Sequence, residues 1–518
     1  MLYLAVIYHM HQPYYKNLLT QEAGMPWVRL HGAKDYLDMV QILENYPAIR
    51  QTFNLVPSLI EQLDDYVNRT VKDKFLELSY KPADALAKED KAFLLGNFFK
   101  ISVEGVISFF PRYYELYFKK EAKRDFTQQD YLDLQVWFNL AWIDPSFKQN
   151  IPELKRLVDK GRFFSEEDKQ VVLEKQIEIL EDIIPTYKKF QETGQIEVIA
   201  SPYYHPILPL LYNTKIAKEA DPKVTLPRVN FNHPEDAYSQ IKEAVESYKT
   251  HFGAAPFGMW PSEESVSEHI VPLLIEAGIK WIVADEAILF KSLKLKRRNT
   301  PLLYQPHLLK IKDSDLQIVF RDRNLSDLIG FDYHKRKPID AVSNFLKHLA
   351  DINNAFKDKD ILVTVAMDGE NAWEYFRNDG HDFLELLYQR ISDSPFVKTT
   401  TVKEYLANHP PVNQIKRLAT GSWIFANFSK WIGSPYKNLA WEYLAKARLE
   451  LDNPKLQLPE EKLALAYKQI YIAEGSDWFW WYGDDFGDFD ILFRTHLSNF
   501  YTIIGKEVPD YLQSPLVT

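Results

Sequence analysis

The sequence predicts an α/β fold: a seven-stranded (β/α)7, TIM-like barrel with a helical insertion and a C-terminal helical region. Three observations predict it. Seven short apolar runs read as strands, and most of them end in polar residues. Amphipathic helical patterns lie between several of these runs, and strand–helix alternation makes a parallel sheet, open or closed. Two further stretches, about 60–190 and from about 400 onward, are rich in helix-forming and aromatic residues, and the first is too long for a connecting loop.

The first strand is Tyr3–Tyr8, which ends at His9 and His11. This run is too short to span a bilayer and lacks a basic n-region, so it reads as a strand and not as a signal peptide. Gln51–Val56 follows and carries Asn54. The interval 60–190 then reads as the helical insertion, with helix formers at 84–89 and 172–177 and part of it placed to serve as a lid. Ile196–Ala200 carries Glu197 and ends at Ser201, with Tyr203, Tyr204 and His205 beyond. Ala237, Ile241, Ala244, Val245, Tyr248 and Phe252 share one helical face that Gly253 stops.

Phe257–Trp260 is the fourth strand and ends at Ser262, Glu263 and Glu264. A second helical face runs from Val266 to Ala277 and closes at Gly278. Trp281–Ala284 ends at Asp285 and Glu286, and Leu316–Phe320 ends at Arg321, Asp322 and Arg323. The last strand, Ile361–Ala366, stops at Asp368, Glu370, Asn371 and Trp373. Residues 1–400 are thereby expected to form a catalytic barrel that includes the insertion. Residues 401–518 are expected to form a C-terminal helical domain contributing to the cleft.

Bulk composition narrows the function. The 518 residues carry 62 basic and 72 acidic side chains, a formal charge of −10, which argues against nucleic acid or an anionic membrane as partner. With no cysteine, thiolate catalysis, disulfides and Cys-ligated metal are excluded. The expected location is the cytoplasm, and low Gly, Met and Cys with many Glu and Lys fit a heat-adapted protein. Twelve Trp and 30 Tyr fit either a large core or a cleft that stacks sugar faces.

Carboxylates at the carboxyl ends of barrel strands sit where such folds perform chemistry. Glu263 and Asp368 are the candidate catalytic pair. Two carboxyls suit glycoside hydrolysis, one attacking the anomeric carbon and the other protonating the leaving oxygen. Local alternatives exist for each. Acidic residues complement a first helical turn, and Ser265 with Glu268 fits a capping box. Asp368-Gly369 fits a tight turn, although a turn does not account for the neighbouring Glu370, Asn371 and Trp373.

Five elements occur in order: His11-Gln12-Pro13, Gly194-Gln195-Ile196-Glu197-Val198, Trp260-Pro261-Ser262-Glu263, Asp368-Gly369-Glu370 and Ser476-Asp477-Trp478. Together they resemble family 57 of the glycoside hydrolases, which act on α-glucans with retention of configuration. The resemblance implies Glu263, not Glu264, as nucleophile, Asp368 as acid/base, and a seven-stranded β/α barrel followed by helices. It also implies an α-glucan or maltooligosaccharide substrate, with His11, Glu197, Trp260, Trp373, Asp477 and Trp478 as binding residues. No metal or other cofactor is expected, although the many Asp leave calcium open without an EF-hand-like loop to hold it. The stretches 25–32 and 475–485 resemble the amylopullulanase and α-amylase branch, which implies cleavage of α-1,4 and also α-1,6 bonds. Residues 431–436 depart from that pattern by lacking an acidic residue near Tyr436.

Three other readings compete. A 4-α-glucanotransferase would use the same glycosyl-enzyme. A metal-dependent amidohydrolase or deacetylase would use His9-x-His11 with Asp368, but it needs further His or Lys ligands on the middle strands. Those strand ends carry Glu263, Asp285 and Arg321 instead. A non-catalytic glycan-binding protein would leave two strand-end acids without a purpose.

Overall fold

Seven parallel strands form the centre of the molecule: β1 (Leu2–Met10), β2 (Gln51–Leu55), β3 (Ile196–Ile199), β4 (Gly258–Met259), β5 (Trp281–Asp285), β6 (Ser314–Arg321) and β7 (Ile361–Asp368). The computed structural model describes all residues except 312–313, 358, 484–486 and 517–518. Strand β1 lies between β7 and β2, β2 pairs with β3, β4 with β5, and β5 with β6. Two thin seams complete the ring. A single bridge, Ala200–Met259, joins the end of β3 to β4, and Thr364–Arg321 joins β7 to β6. The sheet is therefore a nearly closed barrel. All seven expected strands are present, with ends shifted by up to two residues.

The two-residue period of a strand decides which side chains enter the barrel. Ala5, Ile7, Ile199, Trp281, Val283, Val319, Leu362 and Ala366 belong to one buried cluster inside it, and Val402, Tyr405 and Leu406 pack onto this cluster. Leu4, Val6, Tyr8, Val363, Val365 and Met367 alternate with them and join the larger core outside. Strands buried on both faces read as continuous apolar runs, and Ile361–Met367 is an instance. Following the inward set upward, Leu362, Thr364 and Ala366 lead to Asp368 in phase. Gly258 on β4 has a packing reason, because a Cβ there would lie 2.1 Å from the Trp281 ring.

Residues 57–192 are almost entirely helical. They include α1 (Gln128–Ala141) and the 27-residue α2 (Glu166–Glu192), whose start is fixed by a Ser165–Asp168 capping box. Helix α3 (Pro234–Phe252) buries the face expected from its periodicity and ends at Gly253 in the left-handed conformation, φ 80°. The next helix is shorter than its pattern suggests. It spans Val271–Glu276, because Val266 is engaged in an antiparallel bridge with Gly421. At the C-terminal end, α4 (Pro435–Leu451), α5 (Glu460–Ala473), α6 (Ser476–Trp481) and α7 (Gly487–Ile503) pack beside the barrel mouth. No helix among the described residues is long and apolar enough to cross a membrane.

Candidate active site

Strand β4 delivers Trp260 and Pro261 to a tight turn, Ser262–Glu264, at the mouth of the barrel. This turn is not the first turn of a helix. Glu263 and Glu264 both adopt left-handed backbone, φ 57° and 50°, which is uncommon for residues with a side chain. Glu268, the supposed partner of Ser265 in a capping box, accepts the Leu418 N–H instead. Strain of this kind persists where surrounding structure enforces it. Here Trp423 does so twice: its backbone N–H donates to the Glu263 carbonyl at 3.1 Å, and its indole N–H donates to Glu263 Oε2 at 2.7 Å. Glu263 faces a cavity of about 940 Å³, whereas Glu264 is sealed beneath it with no hydrogen bond to either carboxyl oxygen. Burial pushes Glu264 well above the usual carboxyl range, against the pull of Arg321.

Asp368, at the end of β7, lines the same cavity. Its Oδ2 accepts weakly from the Asn371 amide at 3.4 Å. Burial raises its pKa, while Asn371, Arg321 and His11 pull it back. Burial first, and the charge of Asp368 second, push Glu263 up to about 8 against the indole hydrogen bond. The two carboxyls therefore cannot both ionise at small cost, and near neutral pH the pair holds one proton.

A stack of imidazoles flanks them. His11 lies 4.1 Å from His205, and His9 lies 4.9 Å from both His205 and Trp260. His9 Nδ1 accepts from the Asn54 amide at 2.5 Å. His11 Nε2 and Asp477 Oδ1 are 2.9 Å apart, so α6 reaches into the barrel mouth. The backbone N–H of His11 donates to Glu370, which burial keeps well above the usual range. His11, His205 and Asp477 bring one ligand atom each within 4.8 Å of one another and could hold a cation. His9, His11 and Asp368 form no such group among the described residues, because β1 turns His9 onto Trp260.

A profile of glycosyl hydrolase family 57 matches residues 5–417. The chain belongs to that family. Among similar curated proteins, an α-amylase of Pyrococcus abyssi is 24% identical over 245 residues, which is 45% of this chain and 32% of that protein. The chain covers no more than about a third of the length of the curated relatives it matches. Solved structures of the same fold include a branching enzyme of Pyrococcus horikoshii, with TM-score 0.62, 17% identity, and 97% and 89% of the two chains covered. A 4-α-glucanotransferase of Thermococcus litoralis gives TM-score 0.54 and 15% identity over 97% and 60%. At these identities the likeness is one of fold.

Within this family-57 chain, four of the residues expected at the site line the cavity: Glu263, Asp368, His11 and Asp477. The other four do not, and burial is the reason. Glu197 is the second residue of its short strand, so its carboxyl points inward below the rim, accepting from Trp281 Nε1 at 3.0 Å and Lys403 N at 2.9 Å. Trp260 is fully buried behind His9. Trp373 packs on Tyr8 and Phe376, and Trp478 gives its indole N–H to the Ile472 carbonyl. Asp285 and Arg321 form an ion pair at 3.1 Å, shared with Arg323. Asp484 and Asp485 of the 475–485 stretch lie outside the described residues.

The cavity wall includes aromatic residues that the strand-end pattern did not single out: Trp27, Trp142, Tyr375, Trp423, Trp480 and Trp481. Trp142 and the segment Lys100–Ser102 come from the helical insertion, and Trp480 and Trp481 from α6. Trp423 lies in a loop 160 residues beyond Glu263, and no local pattern marks it. Trp27 and His31 fall within the motif 25–32 and face the cavity, while Arg29 between them is buried against Asp73, Asn139 and Gln176.

Proposed function

We propose that this protein is a retaining, α-glucan-active glycosidase that cleaves α-1,4 and also α-1,6 bonds by double displacement. The observation that carries the reading is the meeting of two strand-end carboxyls, Glu263 and Asp368, in one aromatic-walled cavity where burial raises both and the charge of Asp368 raises Glu263 further. Glu263 attacks the anomeric carbon and forms a glycosyl-enzyme, and Asp368 gives its proton to the departing glycosidic oxygen. Asp368 then takes a proton from the acceptor hydroxyl as the ester breaks. Burial and the charge of Asp368 push Glu263 up to about 8, the reverse of what a nucleophile needs. Two features favour the productive placement of the pair's single proton. The Trp423 indole N–H stabilises Glu263 as carboxylate, and a bound glycosidic oxygen offers Asp368 an acceptor. Retention also requires the carboxyls about 5–5.5 Å apart when substrate is bound.

The aromatic wall favours a second outcome of the same intermediate. Trp480, Trp481 and Tyr375 offer apolar faces on which an acceptor sugar can outcompete water, which gives 4-α-glucanotransfer. Product analysis on maltoheptaose and pullulan tests both. Short maltooligosaccharides indicate hydrolysis, a ladder longer than the substrate indicates transfer, and maltotriose from pullulan indicates α-1,6 cleavage. No product from either glucan, with folded protein, overturns the proposal.

A further inference from the structure

A second cavity of about 440 Å³ adjoins the first. Both are lined by Lys34, Val106 and Glu374, so these three residues stand at the partition. The insertion segment 100–110 forms the dividing wall, giving Lys100–Ser102 to the catalytic side and Gly105, Phe109 and Phe110 to the other. Opposite lies the turn after β7, where Asn378, Asp379 and Gly380 are all left-handed, φ 52°, 54° and 79°. Two of these three carry side chains, so the turn is strained, and such strain gathers at ligand-holding sites.

The unusual group here is Lys148. It is 91% buried (9% exposed) and lines the cavity, yet its ammonium makes no hydrogen bond to any described residue. Its Nζ lies over the Phe110 ring, with the centroid at 5.4 Å. Asp144 and Asp379 lie near enough to attract it, but burial outweighs them and lowers Lys148 to about 8. Asp144 is occupied with His381 and Ser146, and Asp379 with Lys34. The second oxygen of Asp379 is buried and lacks a partner. The Lys148 ammonium lines the cavity with no acceptor among the described residues, so a ligand that enters meets an available donor there. The cavity has four basic and four acidic lining side chains, hence no net charge, and this disfavours an anion. Phe109, Phe110 and Phe376 supply apolar faces.

We infer that this second cavity is a saccharide-binding chamber. A hydroxyl oxygen of a glucosyl unit accepts from the Lys148 ammonium, a neighbouring hydroxyl donates to Asp379, and the phenyl rings take the apolar face of the sugar. Because it adjoins the catalytic cavity at Val106 and Glu374, it is placed to hold a part of a glucan whose reacting bond lies in the catalytic cavity. The inference rests on the glucan-active reading and adds a site to it.

Calorimetric titration with maltotriose tests it in a Glu263→Gln background, which stops turnover. Two sites are expected. Lys148→Met removes or weakens the second at least tenfold, and so does Phe109→Ala, a change at a 55% exposed position that spares the core. In the catalytically intact chain, Lys148→Met lowers the ratio of kcat/KM for maltoheptaose over maltotriose by about tenfold. A single site unchanged by both substitutions overturns the chamber and leaves the catalytic reading standing. Absence of any maltotriose binding overturns both.

Discussion

Two glutamates enter the same barrel and end in opposite situations. Glu197 sits low in the barrel, where the Trp281 indole, the Lys403 N–H and the Thr52 hydroxyl all address its oxygens. Glu263 sits at the mouth with one donor, Trp423, and open space before it. Burial raises both, to about 7 and about 8. A shifted pKa therefore does not separate structural from reactive acid. Spare acceptor capacity, a cavity and a second carboxyl do. Glu197 ties β3 to the helix Val402–Asn408 that plugs the barrel, whereas the lone pairs of Glu263 remain free to meet an anomeric carbon.

The sharpest way to break this comparison is to remove each acid. Glu263→Ala and Asp368→Ala are each expected to lower kcat on maltoheptaose by about three or more orders of magnitude, because each removes one of the two groups that the proposed double displacement needs. Glu197→Gln is expected to stay within about threefold. Equal losses at 197 and 263 in folded protein would erase the distinction.

A smaller effect sharpens it. Trp423→Phe keeps the aromatic wall but removes the donor to Glu263 Oε2. A rate loss of about 10–100-fold is expected. The indole N–H favours the carboxylate, so its removal raises the pKa of Glu263. Activity needs one proton on the pair, and its loss sets the basic limb of kcat/KM near pH 8. That limb should move upward in Trp423→Phe. A basic limb that stays in place or falls would separate Trp423 from the titration of Glu263.

How much of this was legible in the sequence differs by kind of residue. The inward phase of β7 carries Leu362, Thr364 and Ala366 to Asp368, so strand and acid are read together. Glu263 was legible as a strand-end carboxyl, but its left-handed turn was not, since the same residues suit a helix start. Depth was the harder quantity. Glu197 has the inward phase but lies below the cavity rim, and only its place near the start of a short strand hints at that. Aromatic residues were least legible, because Trp260, Trp373 and Trp478 fill core space while Trp423, Trp480 and Trp481 wall the cavity. Side-chain type is the same in both sets, and only tertiary packing divides them. The helical insertion was legible as helix, but not its supply of Trp142 and the dividing segment 100–110.

Stability gives the next contrast. Glu197→Gln leaves one of three donors without a suitable acceptor, which should cost about 1–3 kcal/mol at pH 5. Its pH dependence has a definite sign. The folded pKa of about 7 lies above the ordinary 4.5, so the folded state holds the proton more tightly. Stability from this group is present below about 4.5 and is lost as pH rises toward 7. The variant cannot titrate, so its deficit relative to the native chain should narrow between pH 5 and 8 in thermal unfolding. A deficit that widens would mean that Glu197 is ionised in the folded state.

The smallest expected effect is none at all, and it concerns the imidazole stack beside the carboxyls. His11, His205 and Asp477 are close enough to hold a cation, and His11 Nδ1 and His205 Nε2 lack hydrogen-bond partners, but one nitrogen of each ring is already engaged. His11 Nε2 and Asp477 Oδ1 are bonded at 2.9 Å, and His205 Nδ1 meets Ser476 Oγ at 3.0 Å. Burial, with His11 and His9 adding to it, lowers His205 well below its ordinary value, so it is a neutral donor or acceptor suited to a sugar hydroxyl. Exhaustive chelation followed by assay on maltoheptaose should leave the rate unchanged. A loss that a divalent cation restores would make the stack a metal centre, and would move the weight of the chemistry from the two carboxyls to the histidines beside them.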